Sequence, residues 1–252
     1  MLRDYGEKYL VIVPTYNEAE NITSLIPAIL RQSEDIHVLV VDDASPDGTA
    51  DLARQAGRDH PGRLHVLERA GKLGLGSAYI AGFRQGLDQG YRAMIEMDAD
   101  FSHDPAILPA MLRGLESADV VIGSRYIAGG GTRNWSLLRK FISRGGSLYA
   151  RSILGLRLRD LTGGFNAWNR EVLERIGPDS ITSEGYSFQI ELKYRAACLG
   201  FRLEEIPIIF ADRRAGESKM SARIVAEAML RVWAFRFASR RLFQSAATQR
   251  NP

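Results

Sequence analysis

The segment Met94-Ile95-Glu96-Met97-Asp98-Ala99-Asp100-Phe101-Ser102-His103 decides how the chain is read. A run with the character of a buried parallel strand ends in two carboxylates, and Asp104-Pro105 behind it marks a helix start with proline in the first turn. In extended backbone, residues i and i+2 point the same way, so Asp98 and Asp100 can face one common object. Two anions side by side in a dry crevice repel each other, and a shared proton or a bound cation relieves them. Oxygen-only donors favour Mg2+ or Mn2+, ions that commonly complete their shells with substrate phosphates. The competing reading is that one aspartate caps the next helix while the other is solvated.

The same strand signal recurs at Tyr9–Val13, His37–Val41, Leu64–Leu67 and Asp119–Gly123. Between these strands, Ala19–Arg31, Ala50–Ala56 and Tyr79–Leu87 read as helices, the first with apolar residues at Ile22, Leu25, Ile26, Ile29 and Leu30. Apolar strands alternating with helices predict an α/β fold, a mostly parallel sheet with helices on both faces. Ligands of such sheets bind beyond the carboxyl ends of the strands. Tyr16, Glu18, Asp42, Asp43, Lys72, Asp98, Asp100 and Arg125 all fall there.

After Tyr126 the alternation weakens. Gly129-Gly130-Gly131 reads as a flexible loop, and Trp135–Leu154 as a helix interrupted at Gly145-Gly146. On that helix Lys140, Arg144 and Arg151 share a stripe beside Leu137, Phe141 and Leu148, either a solvated face or a functional one. Asp160–Asn166 reads as a glycine-bearing loop, Glu171–Ile176 and Tyr186–Leu199 as helices, Leu203–Phe210 as a late strand, and Asp212–Lys219 as a polar loop. The last helix, about Ala222–Phe243, mixes Trp233, Phe235, Phe237 and Phe243 with Arg231, Arg236, Arg240 and Arg241. Residues 244–252 read as a flexible tail.

Composition narrows the classes. With 252 residues and 45% hydrophobic content, one sizeable core is expected. The balance of 33 basic against 30 acidic residues does not indicate a nucleic-acid partner. Cys198 stands alone, so no internal disulfide is possible, and Ala-Ala-Cys-Leu-Gly suggests a small buried residue. No stretch approaches the ~20 apolar residues of a membrane span, and the N-terminus does not read as a signal peptide. The glycine-rich Gly71–Ser77 is no phosphate loop of the ATPase kind, because Ser77 stands where lysine is needed. Nor does a dinucleotide fingerprint follow the first strand, where Pro14-Thr15-Tyr16 stands, so the glycines can equally serve a close strand-to-helix turn. Glu18, Asp43 and Asp98 after three different strands make an acidic floor. Such a floor accepts hydrogen bonds from ribose and base, and a cation lets it hold a diphosphate, a combination that suits a sugar nucleotide.

Val13-Pro-Thr-Tyr-Asn-Glu18, Val41-Asp-Asp-Ala-Ser-Pro-Asp-Gly-Thr49, Lys72–Ala78, Met97–His103 and Gly123-Ser-Arg-Tyr126 together resemble the inverting glycosyltransferases of family 2, with the GT-A fold. Asp160–Phe165, Gly185–Gln189 and Gly216–Met220 carry the resemblance to the dolichol-phosphate and polyprenol monophosphomannose synthases, from about Tyr9 to Arg241. The resemblance implies one domain over residues 1–243, with residues 9–125 for the nucleotide sugar and 126–243 for acceptor, lid and an interfacial C-terminal amphipathic helix. It implies that Pro14, Tyr16, Glu18 and Asp43 hold guanine and ribose, with Lys72 nearby, and that Asp98 and Asp100 handle diphosphate and metal. Ser102 departs from relatives that carry an amide ligand there. Arg125, Arg139 and Ser143 would take the lipid phosphate, while Arg213 or Arg214 with Ser218 and Lys219 would close over the donor. The implied donor is GDP-mannose, the acceptor a polyprenyl (dolichyl-type) phosphate, and the setting the cytoplasmic face of a membrane. There the terminal helix meets the lipid surface or a separate anchor subunit.

The chemistry agrees with this assignment. A phosphate monoester is already anionic near neutral pH, so alignment and electrostatics matter more than a strong base. The chain shows no Ser/His/Asp or Cys/His arrangement. The rivals are a transferase using UDP-glucose or another nucleotide sugar, a glycosidase, and a non-enzymatic nucleotide-binding subunit. Adjacent aspartates are poorly placed to flank a scissile bond as a glycosidase pair must.

Overall fold

A computed structural model describes residues 5–211 and 229–237. Its sheet is founded on β1 (Tyr9–Thr15) and β2 (Ile36–Asp42), paired in parallel register from Tyr9 opposite Ile36 to Thr15 opposite Asp42. Successive side chains leave a strand on opposite faces, and here both faces are covered, which is why the runs are wholly apolar. Leu10, Ile12, Leu39 and Val41 enter one core with α3 (Leu75–Asp88), α5 (Leu137–Leu154), α6 (Arg170–Ile176) and α7 (Gly185–Cys198). Val11, Val13, Val38 and Val40 enter the other with α1 (Ala19–Leu30), α2 (Thr49–Ala56) and α4 (Leu108–Gly114). Helix α3 lies so close to the sheet that a Cβ on Gly82 would stand 2.5 Å from Ile12 Cγ2.

The strand order is β3-β2-β1-β4-β7-β5-β8, with β3 at Leu64–Glu68, β4 at Ala93–Glu96, β5 at Val120–Ser124, β7 at Asn166–Asn169 and β8 at Leu203–Pro207. Chain order reverses at β1, between β2 and β4, so a crevice opens at their carboxyl ends. The mostly parallel α/β expectation holds, with one strand that the pattern did not announce. β7 runs antiparallel between β4 and β5. Its four residues, Asn-Ala-Trp-Asn, are too short and too polar at the ends to stand out from the glycine-bearing loop before them.

Other expectations need correction. Leu203–Phe210 is not one strand: β8 ends at Pro207, and β9 (Ile209–Phe210) pairs with β6 (Gly131–Thr132) in a separate two-stranded sheet. Part of the glycine loop expected to be flexible is therefore strand. Helix α5 begins at Leu137, where the Ser136 hydroxyl accepts from the Arg139 N–H, and it runs through Gly145-Gly146 unbroken. Its anchoring residues Ser147, Ala150 and Leu154 are buried, and packing of that face outweighs the low propensity of two glycines. Cys198, expected to be buried, is exposed at the end of α7.

Candidate active site

The loops after β1 and β2 are stitched to each other before any ligand arrives. Asp42 accepts from the Thr15 hydroxyl at 2.7 Å and from the Ser45 N–H at 2.8 Å. Asp47 accepts from the Ala19 N–H at the start of α1 and from the Thr49 N–H at the start of α2, and the Thr49 hydroxyl in turn accepts from the Glu18 N–H. Asp42 is therefore a scaffold residue rather than a wall of the crevice. Asn17, Ala44 and Phe101, just past β1, β2 and β4, all have φ between 54° and 60°. Non-glycine residues seldom adopt this conformation, and it persists where surrounding bonds over-determine the loop.

Of the residues expected to hold the nucleotide, Tyr16, Asp43 and Lys72 come together. Lys72 Nζ stands 3.9 Å from the Tyr16 ring centroid. Asp43 is held from two sides: Oδ1 accepts from Arg69 Nε at 2.6 Å and Oδ2 from the Leu73 N–H at 3.1 Å. Arg69 also donates to the Ser77 hydroxyl at 2.8 Å and to the Gly74 carbonyl at 3.2 Å. The glycine-rich stretch is thus folded around the Asp43–Arg69 pair, with Gly74 at φ 99°. Sequence reasoning missed Arg69, although an arginine directly after a strand and two residues before Gly71 was a signal. Pro14 lies within β1, and Glu18 accepts from the Asn21 side chain at 2.9 Å.

Asp98 and Asp100 do not sit in extended chain. β4 stops at Glu96 and both aspartates lie beyond it, before the positive φ of Phe101, so the i, i+2 geometry does not apply. Both lie near enough to Tyr79 and His103 to act on them electrostatically. Asp98 Oδ1 accepts from the Tyr79 hydroxyl at 3.3 Å, and the Asp98 N–H donates to His103 Nδ1 at 3.0 Å. With Nδ1 accepting, the imidazole proton is on Nε2, 3.9 Å from Asp98 Oδ2. Burial pushes the His103 pKa down, so the ring is a neutral strut. Asp100 is buried and accepts from the Ser102 N–H at 3.0 Å. The helix cap of the competing reading is neither aspartate but Asp104, which accepts from the Ala106 N–H at 2.9 Å.

The hydroxyl of Ser102 is buried and has no hydrogen-bond partner among the described residues. Two carboxylates and an orphaned hydroxyl form an oxygen donor set that fits Mg2+ or Mn2+. Asp98 and Asp100 would be the charged ligands, and Ser102 the group left without another partner.

Behind the aspartates a buried polar network braces β4. Glu96 Oε2 accepts from Asn166 Nδ2 and Trp168 Nε1, both at 2.9 Å, and Oε1 from Gln189 Nε2 at 2.8 Å. Burial pushes the Glu96 carboxyl up to about 7 in spite of these donors. Lys193, likewise buried, donates to the Gly163 carbonyl at 2.6 Å and to Leu161 at 3.3 Å, and burial lowers it to about 8.

Arg125, Arg139 and Ser143 are gathered around Tyr126 and Trp135. Arg125 is buried, and Asp160 holds it through the backbone N–H at 3.0 Å, Nε at 2.7 Å and a terminal nitrogen at 2.7 Å, with Thr162 accepting at 2.9 Å. Burial alone would raise the Asp160 carboxyl, yet Arg125 keeps it below the usual value. Arg125 follows β5 directly, and a buried acid orients its guanidinium. The Tyr126 hydroxyl donates to Ser143 at 2.6 Å, and the Trp135 ring lies 5.5 Å from the Arg125 guanidinium and 4.1 Å from that of Arg139. Phe210 meets both His103 and Trp135 edge-on, each at 5.3 Å, so one ring joins the acidic and basic halves. Asp160, Trp135 and His103 were not singled out for these roles from sequence. Arg213, Arg214, Ser218 and Lys219 lie outside the described residues.

The model of the glycosyl transferase family 2 domain matches residues 10–177. The chain belongs to glycosyl transferase family 2. Over 233 residues this family 2 chain is 48% identical to the undecaprenyl-phosphate mannosyltransferase of Micrococcus luteus, covering 92% of this chain and 96% of that protein. It is 46% identical to the polyprenol monophosphomannose synthase of Mycolicibacterium smegmatis, covering 91% and 88%. Among solved structures, glucosyl-3-phosphoglycerate synthase from Mycobacterium tuberculosis with Mn2+, UDP and glucosyl-3-phosphoglycerate superposes with a TM-score of 0.64 at 19% identity, covering 93% of this chain and 80% of that one. The same enzyme with Mg2+ and UDP gives 0.64 at 20% identity, covering 93% and 79%. The sheet of this family 2 glycosyltransferase, with helices on both sides, is the GT-A fold.

Proposed function

We propose that this family 2 glycosyltransferase transfers mannose from GDP-mannose to a polyprenyl monophosphate with inversion, releasing GDP and polyprenyl phosphate β-mannose. The observation that carries the reading is the juxtaposition across His103 and Phe210. Asp98 and Asp100 stand on one side, suited to a metal-bound diphosphate, and Arg125 with Arg139 stands on the other, suited to a phosphate monoester. The names of two relatives matched over nearly their whole lengths support the same acceptor and sugar.

A divalent cation held by Asp98 and Asp100 would supply neutralisation of the diphosphate. The protein's own residues do the rest. Tyr16, Lys72 and Asp43, braced by Arg69, hold the nucleoside end, while Arg125 and Arg139 align the acceptor phosphate and offset its charge. A phosphate oxygen attacks the anomeric carbon as the bond from that carbon to the diphosphate oxygen breaks, and the electron pair leaves with GDP. No base is required, since the monoester is already anionic, and His103 has its Nδ1 committed to the backbone of Asp98. Pro14 and Glu18 are assigned to the nucleotide side, Ser143 to the acceptor side, and Arg213 and Lys219 to closure over the donor.

The acceptor is a lipid, and the protein works peripherally at the cytoplasmic face of a membrane, by itself or with an anchor subunit. No described helix is long and apolar enough to cross a membrane. The helical residues 229–237 expose Leu230 (74%), Trp233 (46%) and Phe237 (67%), and α5 exposes Leu137, Leu138 and Phe141, all supporting a surface that rests on lipid. The test is transfer from labelled GDP-mannose to a short polyprenyl phosphate with Mg2+, Mn2+ or EDTA, beside UDP-glucose. Metal-dependent β-linked product from GDP-mannose supports the proposal; product from UDP-glucose alone, or an α-linked product, refutes it.

A further inference from the structure

Trp135 stands immediately before Ser136, the residue that caps α5, with its ring between the Arg125 and Arg139 guanidinium groups and Phe210. The residue is 8% exposed, yet its indole Nε1–H has no acceptor among the described residues. The other tryptophans in the chain are satisfied: Trp168 Nε1 donates to Glu96 at 2.9 Å and Trp233 Nε1 to the Tyr149 hydroxyl at 3.0 Å. Most buried donors are paired, and one left without an acceptor calls for an explanation. Its surroundings supply it. The Arg139 guanidinium lies 4.1 Å from the ring centroid and that of Arg125 5.5 Å, so two cations flank one indole. The N-terminus of α5, an 18-residue helix, opens one residue further on and favours an anion. These surroundings favour an anion as its acceptor.

We propose that Trp135 is a binding residue for the acceptor's phosphate, its Nε1–H donating to a phosphate oxygen while its ring holds the Arg139 guanidinium in place. This rests on the acceptor assigned above, and the tests separate the two.

The first uses the full chain with 15N-labelled tryptophan, in which Trp135→Phe identifies the Trp135 indole signal by its disappearance. Titration with a short prenyl monophosphate is expected to shift that signal and leave those of Trp168 and Trp233 in place. An unmoved Trp135 signal under saturating ligand overturns the inference, whether or not the protein turns over. Inorganic phosphate is the control: a shift only with the prenyl ester assigns the seat to the lipid headgroup, and an equal shift with both overturns the acceptor-specific reading.

The second is kinetic. A hydrogen bond to a charged group predicts that Trp135→Phe raises KM for polyprenyl phosphate about tenfold or more. KM for GDP-mannose should stay within about twofold, because phenylalanine keeps an aromatic ring beside Arg139 and loses only the donor and part of the packing. Trp135→Leu, which also removes the platform under Arg139, is expected to raise the acceptor KM further. Wild-type acceptor KM in Trp135→Phe overturns the donor role, and failure of the wild type to use any polyprenyl phosphate refutes the assigned function instead.

Discussion

Replacing Asp160 by asparagine, nearly the same shape without the charge, tests the claim that Arg125 is oriented by a buried acid. The Asp160 carboxylate is fully buried and accepts four donors: the Arg125 N–H, Nε and a terminal nitrogen, and the Gly163 N–H at 3.0 Å. Asparagine offers one acceptor oxygen and turns an NH2 group toward those donors, while Arg125 keeps its charge. Removing one partner of a buried ion pair costs ~3–5 kcal/mol, because the other charge is stranded. For a domain of this size each kcal/mol moves Tm by about 2–4 °C, so Asp160→Asn should melt roughly 6–20 °C lower. Thermal unfolding followed by circular dichroism reads this directly. Arg125→Met combined with Asp160→Asn leaves no stranded charge and should melt above Asp160→Asn alone, though it should transfer poorly to polyprenyl phosphate. A single variant within about 2 °C of wild type, or a double variant whose losses simply add, refutes the buried pair.

Asp98→Asn should lower transfer by roughly a hundredfold or more. Asp98 is partly exposed, so its Tm should barely move, and circular dichroism with transfer kinetics checks both. Gly82→Ala should destabilise by about 1–3 kcal/mol in urea unfolding, because the clash with Ile12 outweighs alanine's helix propensity. His37 gives the fold an acid limit. It is buried beside Tyr91, and burial, then His65, Arg63 and Lys8, bring its pKa down from 6.5 to about 4. Its folded form prefers to stay neutral, so this stability is complete above pH 6.5 and is lost as pH falls towards 4, up to about 3 kcal/mol. His37→Gln should flatten that stretch of the stability–pH curve in denaturant titrations between pH 7 and 4.

The sequence alone determined the strand–helix alternation and the mostly parallel sheet, and it pointed to the carboxyl edge as the candidate site, because wholly apolar strands and short links are local properties of the chain. It also placed Asp98, Asp100 and Arg125 at strand ends, where no long-range contact is needed to read them. Tertiary structure decided what each of these groups is bonded to. Asp43 meets Arg69 across 26 positions and Arg125 meets Asp160 across 35, and no spacing rule links partners that only the sheet brings together. The antiparallel β7 escaped for the same reason, since four residues become a strand only when β4 and β5 offer edges on both sides. The aspartate pair illustrates both halves: the motif was legible, but Asp98 is placed by Tyr79 and His103, and Asp100 by the turn through Phe101 and Ser102, rather than by strand geometry. Local pattern encodes which face of an element is apolar, whereas the pairing of buried charges is set by packing, where desolvation makes an unmatched partner costly.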